Sequence, residues 1–154
     1  MNVKRVCILV AAILTAGLGT MPAAQSDQFF KFLGIADVQK ITGLQEIKLV
    51  PRTEDADGDL NFARADGQIL LSLSFYPASA FASARSSKSG FKSAVQGVGE
   101  DAFVGPASGP PLFILAFRKG NYTVVLNTEL DAKSKPLLTM EQITAIGKLI
   151  ASRM

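Results

Sequence analysis

An alternating segment that reverses at Asp66-Gly67 constrains the fold of this chain more than any other feature of its sequence. Asp-Gly is a favoured two-residue connection between antiparallel strands, because both positions of that turn take positive φ. With such a turn, apolar residues pair with apolar residues and polar with polar: Leu60 with Leu73, Phe62 with Leu71, Asn61 with Ser72, and Asp59 with Ser74. One face of the hairpin is then apolar, and it consists of Leu60, Phe62, Ile69, Leu71, Leu73 and Phe75. The pattern predicts a β-hairpin over Asp59–Tyr76 whose apolar face lies in a core.

Further strands and helices follow from the same kind of patterning. A second hairpin is predicted over Phe113–Arg118 and Tyr122–Thr128, with its turn at Lys119-Gly120-Asn121. Glu46–Val50 suits another strand. The Gly/Pro-rich stretch from Gly97 to Pro111 is interpreted as a loop.

The last helix has the clearest boundary. Thr139 and Gln142 have the spacing of a capping box, and Leu138 is placed to pack on Ile143. Apolar residues then recur at helical spacing, namely Met140, Ile143, Ile146, Leu149 and Ile150. Shorter helices are predicted over 35–42, ending at Gly43, and over 77–87, with Pro77 in the first turn. Helices interleaved with hairpins predict an α+β fold, an antiparallel sheet with flanking helices, in one domain over 35–154.

The first 24 residues have the organisation of a secretory signal. Lys4 and Arg5 precede a 13-residue uncharged apolar run over 6–18, and small residues follow up to Ala24. The run is short for a membrane span, which needs about 20 apolar residues. We therefore expect cleavage near Ala24, a lead-in segment over 25–34, no stable membrane insertion of the mature protein, and a periplasmic or secreted location. An uncleaved anchor is the alternative, because no clean A-x-A precedes Gln25.

Composition removes several classes of function. The chain has no His and one Cys, and that Cys lies inside the apolar run, so Ser-His-Asp sites, Cys-His sites and zinc fingers are excluded. Loss of Lys4 and Arg5 leaves 14 basic residues against 13 acidic ones, and a net charge this small gives no support for nucleic-acid binding. No cofactor is expected.

Asp55, Asp57 and Asp59 alternate as the first ligands of a calcium loop do, and Asp66 falls at its twelfth position. Leu60 stands where that loop needs Gly, and the predicted hairpin runs through it. The segment is therefore interpreted first as a solvated acidic loop, with a calcium site as the alternative.

Two other short motifs are interpreted as chance matches. Gly97–Ala102 has the form G-x-G-x-x-A, but no helix start follows it and Glu100-Asp101 would repel a phosphate. Ser89 and Lys92 have the S-x-x-K spacing of penicillin-binding enzymes, but the partner motifs of those enzymes are missing.

A resemblance to a known class of proteins covers most of residues 35–152. Gly97–Phe103 ahead of a hairpin, the early helix ending at Gly43 and the capped last helix resemble small exported bacterial proteins and lipoproteins of PsbP-like type. The resemblance implies an antiparallel sheet flanked by helices, and an accessory or binding role. The lipid-attachment Cys of the lipoprotein members is missing here.

Two classes of function follow from these observations. The first is a non-catalytic binding or accessory module for a protein or envelope component, which presents an apolar loop surface made of Phe103, Pro106, Pro110 and Pro111. The second is a small hydrolase that uses carboxylates alone, with Glu100 and Asp101 or the Asp55–Asp59 cluster as candidates. Adjacent strand residues point to opposite faces, so Glu100 and Asp101 make a poor catalytic pair. The binding module is the favoured interpretation.

Overall fold

The computed structural model describes residues 29–50, 59–86, 93–106 and 113–154. Their elements, in chain order, are α1 (Ile35–Thr42), β1 (Ile47–Val50), β2 (Leu60–Arg64), β3 (Ile69–Pro77), α2 (Ala80–Ser86), β4 (Ser93–Ala94), β5 (Asp101–Pro106), β6 (Phe113–Lys119), β7 (Tyr122–Thr128) and α3 (Met140–Arg153). The seven strands form one antiparallel sheet in the order β1-β2-β3-β7-β6-β5-β4. The predicted α+β class is therefore confirmed.

The main core lies on one face of this sheet. Alternation along the strands places apolar side chains on that face in every long strand, as in Leu73, Leu126 and Leu115, which are aligned across β3, β7 and β6. α1 and α3 cover the face. Ile143, Ile146 and Ile150 of α3 are fully buried against it, which confirms the predicted apolar stripe as the docking face of the helix.

The residues just before α1 complete this core. Phe29, Phe32 and Leu33 are buried. The Phe29 ring stacks on Phe75 with a centroid distance of 3.9 Å, and it meets Tyr122 edge-on at 6.1 Å. The second half of the expected lead-in segment is therefore part of the packed domain.

The opposite face of the sheet carries a smaller cluster under α2. Phe81 of α2 packs on Phe103 with a ring separation of 5.5 Å, and Ala116 completes the cluster. Other central positions of this face hold buried small polar side chains, namely Asn61, Ser72, Ser74 and Thr123. The sheet is thus covered by helices on both sides, more fully on the first face.

The hairpin at Asp66-Gly67 has the predicted strand pairing and a different turn. Leu60 pairs with Leu73 and Phe62 with Leu71, as expected. The loop, however, contains Ala65, Asp66 and Gly67, since the Arg64 N–H donates to the Gln68 carbonyl. Among the described residues only Ser134 and glycines take positive φ, so Gly67 (φ 89°) does so here and Asp66 does not.

A bulge restores the register of this hairpin. Ala63 pairs with Ile69, while Phe62 pairs with Leu71, which leaves Leu70 as the extra residue. Leu70 is buried in the core and Ile69 lies outside it, contrary to the prediction that placed Ile69 on the apolar face. The bulge is the physical reason, because it reverses the alternation beyond it.

The structure differs from the predicted elements in three places. The second helix begins at Ala80, because Pro77 is still the last residue of β3 and pairs with Tyr122. The Gly/Pro-rich stretch contains a full strand, β5, paired along its length with β6. The first strand begins at Ile47, one residue later than expected.

In the described part of the chain, no helix has both the length and the apolar character that a membrane span requires.

Candidate functional site

α1 and α3 lie side by side on the core face of the sheet, and polar contacts join the two helices at both ends. Near the start of α1, Asp37 meets Arg153 in the last turn of α3. At the end of α1, the Thr42 carbonyl accepts from Gln142 Nε2 in the first turn of α3, at 3.4 Å. The start of each helix therefore contacts the end of the other, so the two helices run antiparallel.

Asp37 and Arg153 form a bidentate ion pair. Arg153 Nη1 lies 2.6 Å from Asp37 Oδ2, and Nη2 lies 2.8 Å from Oδ1. Asp37 Oδ2 also accepts the Gly34 N–H at 2.9 Å, at the start of α1. The hydrogen bonds from Arg153, opposed in part by burial, lower the pKa of Asp37 below its ordinary value near 3.8.

An open groove of about 570 Å³ runs between these two helices, and we name it the α1–α3 groove. It is lined by Asp37, Lys40 and Ile41 of α1 and by Ala145, Lys148, Leu149, Ser152 and Arg153 of α3. On each helix the lining positions follow an i, i+3, i+4 pattern (37, 40 and 41 on α1; 145, 148, 149, 152 and 153 on α3), so they lie on one side of the helix. The groove is thus formed by the faces of two helices that are already fixed on the core.

The charge of the groove is predominantly positive. Its lining holds three cationic side chains and one carboxylate, and that carboxylate is paired with Arg153. Lys40 and Lys148 are both exposed residues and make no ion pair with a described residue. The end of the Lys148 side chain lies beside Gly97, where an added Cβ would be 3.5 Å from Lys148 Cε. Ile41 and Leu149 supply partly buried apolar surface to the same lining.

The proposed apolar loop surface is only partly within the described residues. Phe103 is 5% exposed and packs under α2, so its side chain supports the fold and does not form an open contact surface. Pro106 is the last residue of β5 and pairs with Phe113. Pro110 and Pro111 lie outside the described residues.

The two carboxylates proposed for a hydrolase are each engaged in ion pairs. Asp101 accepts from Arg85 Nη1 of α2 at 2.6 Å. Glu100 lies 3.4 Å from Arg118 Nε, and its other oxygen accepts the Gly120 N–H at 2.9 Å. Asp101 therefore joins the start of β5 to α2, and Glu100 joins the turn before β5 to the β6–β7 hairpin.

The G-x-G-x-x-A motif has a structural explanation in this fold. Gly97 and Gly99 take positive φ, and Val98 between them is buried. An added Cβ at Gly99 would lie 2.4 Å from the Arg118 carbonyl oxygen, so only glycine fits against β6. The motif shapes the turn that leads into β5.

The possible calcium ligands are not assembled within the described residues. Asp59 Oδ2 accepts the Phe75 N–H at 2.8 Å, and Asp66 Oδ1 accepts the Gln68 N–H at 3.0 Å. Asp55 and Asp57 lie outside the described part of the chain, and within that part no three acidic, His or Cys side chains are grouped as metal ligands. A calcium site at Asp55, Asp57 and Asp59 stays a prediction.

Sequence reasoning missed the α1–α3 groove. From the sequence alone, neither Lys40 nor Lys148 was assigned a site role. A signal was present, since Ala145, Lys148, Leu149 and Ser152 recur at helical spacing beside the core stripe of α3. What the sequence lacks is the pairing of that face with α1, which depends on tertiary contacts.

Comparison of the chain with protein-family models, with curated proteins and with solved structures gave no match.

Proposed function

We propose that this protein is an exported, non-catalytic binding or accessory module that contacts a protein or envelope component through the α1–α3 groove. The observation that carries the proposal is a groove whose lining combines the cationic residues Lys40 and Lys148 with the apolar residues Ile41 and Leu149. Export is proposed from the basic start and apolar run of residues 1–24. The PsbP-like resemblance also supports an accessory role.

The groove has the properties of a preformed binding site. Polar contacts at both ends of the helix pair hold its two walls in position. A partner therefore meets fixed walls, and little conformational freedom of the backbone is lost on binding.

The state of the carboxylates supports a non-catalytic role. A carboxylic acid that donates a proton near neutral pH needs a raised pKa, which burial in apolar surroundings provides. Arg153 instead lowers the pKa of Asp37, the carboxylate in the groove. Glu100 and Asp101 hold structural ion pairs.

Site-specific photocrosslinking in a bacterium that exports the protein tests this proposal. A benzoylphenylalanine residue replaces Ser152 in the groove, and in a matched control it replaces Lys133, which is exposed on the β7–α3 connection. We expect a discrete crosslinked species from position 152 that is absent from position 133. The same pattern from both positions, or no adduct from position 152, would contradict the proposal.

A further inference from the structure

We infer that the partner segment that enters the α1–α3 groove is an acidic stretch of polypeptide with an apolar side chain between its carboxylates. This inference rests on the proposed function, because it names the chemistry of the partner for the same groove.

The charge of the groove selects an anionic partner. Lys40 of α1 and Lys148 of α3 both line the groove, with the end of the Lys148 side chain extending to Gly97 at its edge, while the carboxylate of the groove is already bound by Arg153. A partner with carboxylates can pair with both lysines without displacing Asp37 from Arg153. A basic partner would meet like charges on both walls, which lowers its affinity.

The apolar surface in the same lining selects the second feature of the partner. Ile41 of α1 and Leu149 of α3 are partly buried against the core, and both line the groove. Ala145, also in the lining, adds a small side chain that takes up little of the groove. One aliphatic or aromatic side chain placed there loses its contact with water and anchors the segment.

The shape of the groove favours a peptide over a lipid. The groove is open to solvent, and its described walls come from two helix faces. An acyl chain gains most from an enclosed apolar cavity, which removes nearly all of its surface from water. A peptide segment can bury its anchor side chain and leave its backbone solvated.

Selection of random displayed peptides against the purified mature protein tests the inference. Three targets are used: the wild type, the double variant Lys40→Glu/Lys148→Glu, and the control Lys133→Glu/Lys135→Glu. The control makes the same change of charge on an exposed loop away from the groove. We expect the wild type and the control to select peptides rich in Asp and Glu around an apolar residue.

The groove variant should lose these peptides. Reversal of two exposed charges is expected to weaken binding of a selected peptide by about tenfold or more, and added salt should weaken binding to the wild type. Selection of basic peptides by the groove variant would support the inference further. Acidic peptides that bind all three targets equally would overturn it.

Three other outcomes decide between this inference and the proposed function. Apolar or basic peptides that block crosslinking from position 152 would overturn the acidic chemistry and leave the groove as a binding site. Peptides that never block that crosslinking would count against both. Binding of phosphatidylglycerol vesicles that depends on Lys40 and Lys148, with no acidic peptide selected, would assign the groove to a lipid and overturn the inference.

Discussion

At the scale of single residues, two constraints require glycine at position 99. Its backbone is left-handed (φ 59°), and it lies against the neighbouring strand β6. We expect Gly99→Ala to destabilise the fold by about 2–4 kcal/mol, because the strain of positive φ adds to a contact with the Arg118 carbonyl. Gly120→Ala is the matched control, since Gly120 also has positive φ (54°) and open space around it. It should cost only about 1–2 kcal/mol. Urea unfolding measures both values, and equal losses would contradict the close contact at Gly99.

The calcium hypothesis is decided by its three predicted ligands. If Asp55, Asp57 and Asp59 bind the ion, millimolar calcium raises the melting temperature above the value measured with a chelator, because the ion binds only the folded state. Asp55→Asn should remove the rise. An unchanged melting temperature would reject the site and leave the interpretation as a solvated acidic loop.

Residue chemistry predicted side-chain partners better than backbone geometry. The capping box formed as expected, with the Gln142 N–H donating to Thr139 Oγ1 at 3.2 Å and the Thr139 N–H donating to Gln142 Oε1 at 2.9 Å. The predicted two-residue turn at Asp66-Gly67 did not form, because an Asp-Gly pair also suits a three-residue loop whose last residue is Gly. The dipeptide alone does not separate the two turns.

At the scale of elements, the Asp37–Arg153 pair joins the start of α1 to the end of α3, and its effect depends on pH. The pKa of Asp37 is lower in the folded protein than its ordinary value near 3.8. The stabilisation that the ion pair gives the fold is therefore complete above that ordinary value, and it is lost as the pH falls through the lower pKa of the folded state. We expect Asp37→Asn to lower the melting temperature by a few degrees at pH 7. The difference from the wild type should shrink below about pH 4.

Two further variants control this experiment. Arg153→Gln removes the same pair and should show the same dependence on pH. Glu141→Gln removes an exposed carboxylate from the first turn of α3, for which no ion pair with a described residue is seen, and it should change the melting temperature little. A constant difference between Asp37→Asn and the wild type down to pH 2 would show that the ion pair is not its cause.

Removal of α3 should abolish cooperative folding. A chain that ends at Leu138 loses Ile143, Ile146 and Ile150, each fully buried and each worth about 1.5–3 kcal/mol. That loss is comparable to the total stability of a domain, about 5–15 kcal/mol. A chain that ends at Ser152 keeps the stripe and should still melt cooperatively. A cooperative melt of the shorter chain, followed by circular dichroism, would contradict the docking of α3.

Long periodic elements were predictable from the sequence, whereas short or irregular ones were not. The stripe of α3 and the pairing of Leu60 with Leu73 follow from periods of 3.6 and 2, which single residues do not upset. β5 was missed because Gly105 and Pro106 at its end resemble loop residues. The α1–α3 groove was missed because it requires two elements far apart in the chain to lie side by side.

At the scale of the whole molecule, the proposed export predicts the mass of the recovered protein. Recovered from the medium or periplasm of an exporting bacterium, the protein should have an intact mass that begins within a few residues of Gln25. Phe29 follows soon after that position and is buried in the core, so cleavage beyond it would remove packed residues. A full-length chain that retains Met1 in the membrane fraction would favour the uncleaved anchor.

The strand order has a consequence for the speed of folding. The sheet consists of two meanders, β1-β2-β3 and β4-β5-β6-β7, that meet only where β3 pairs with β7. Hairpins such as β2–β3 and β6–β7 close in about 1–10 μs, because their partners are neighbours in the chain. The meeting of β3 and β7 joins Leu71 to Thr128, and the chain between them must first lose much of its freedom. We expect this junction to limit the folding rate, so that substitutions along it slow folding while substitutions at the outer strands mainly speed unfolding.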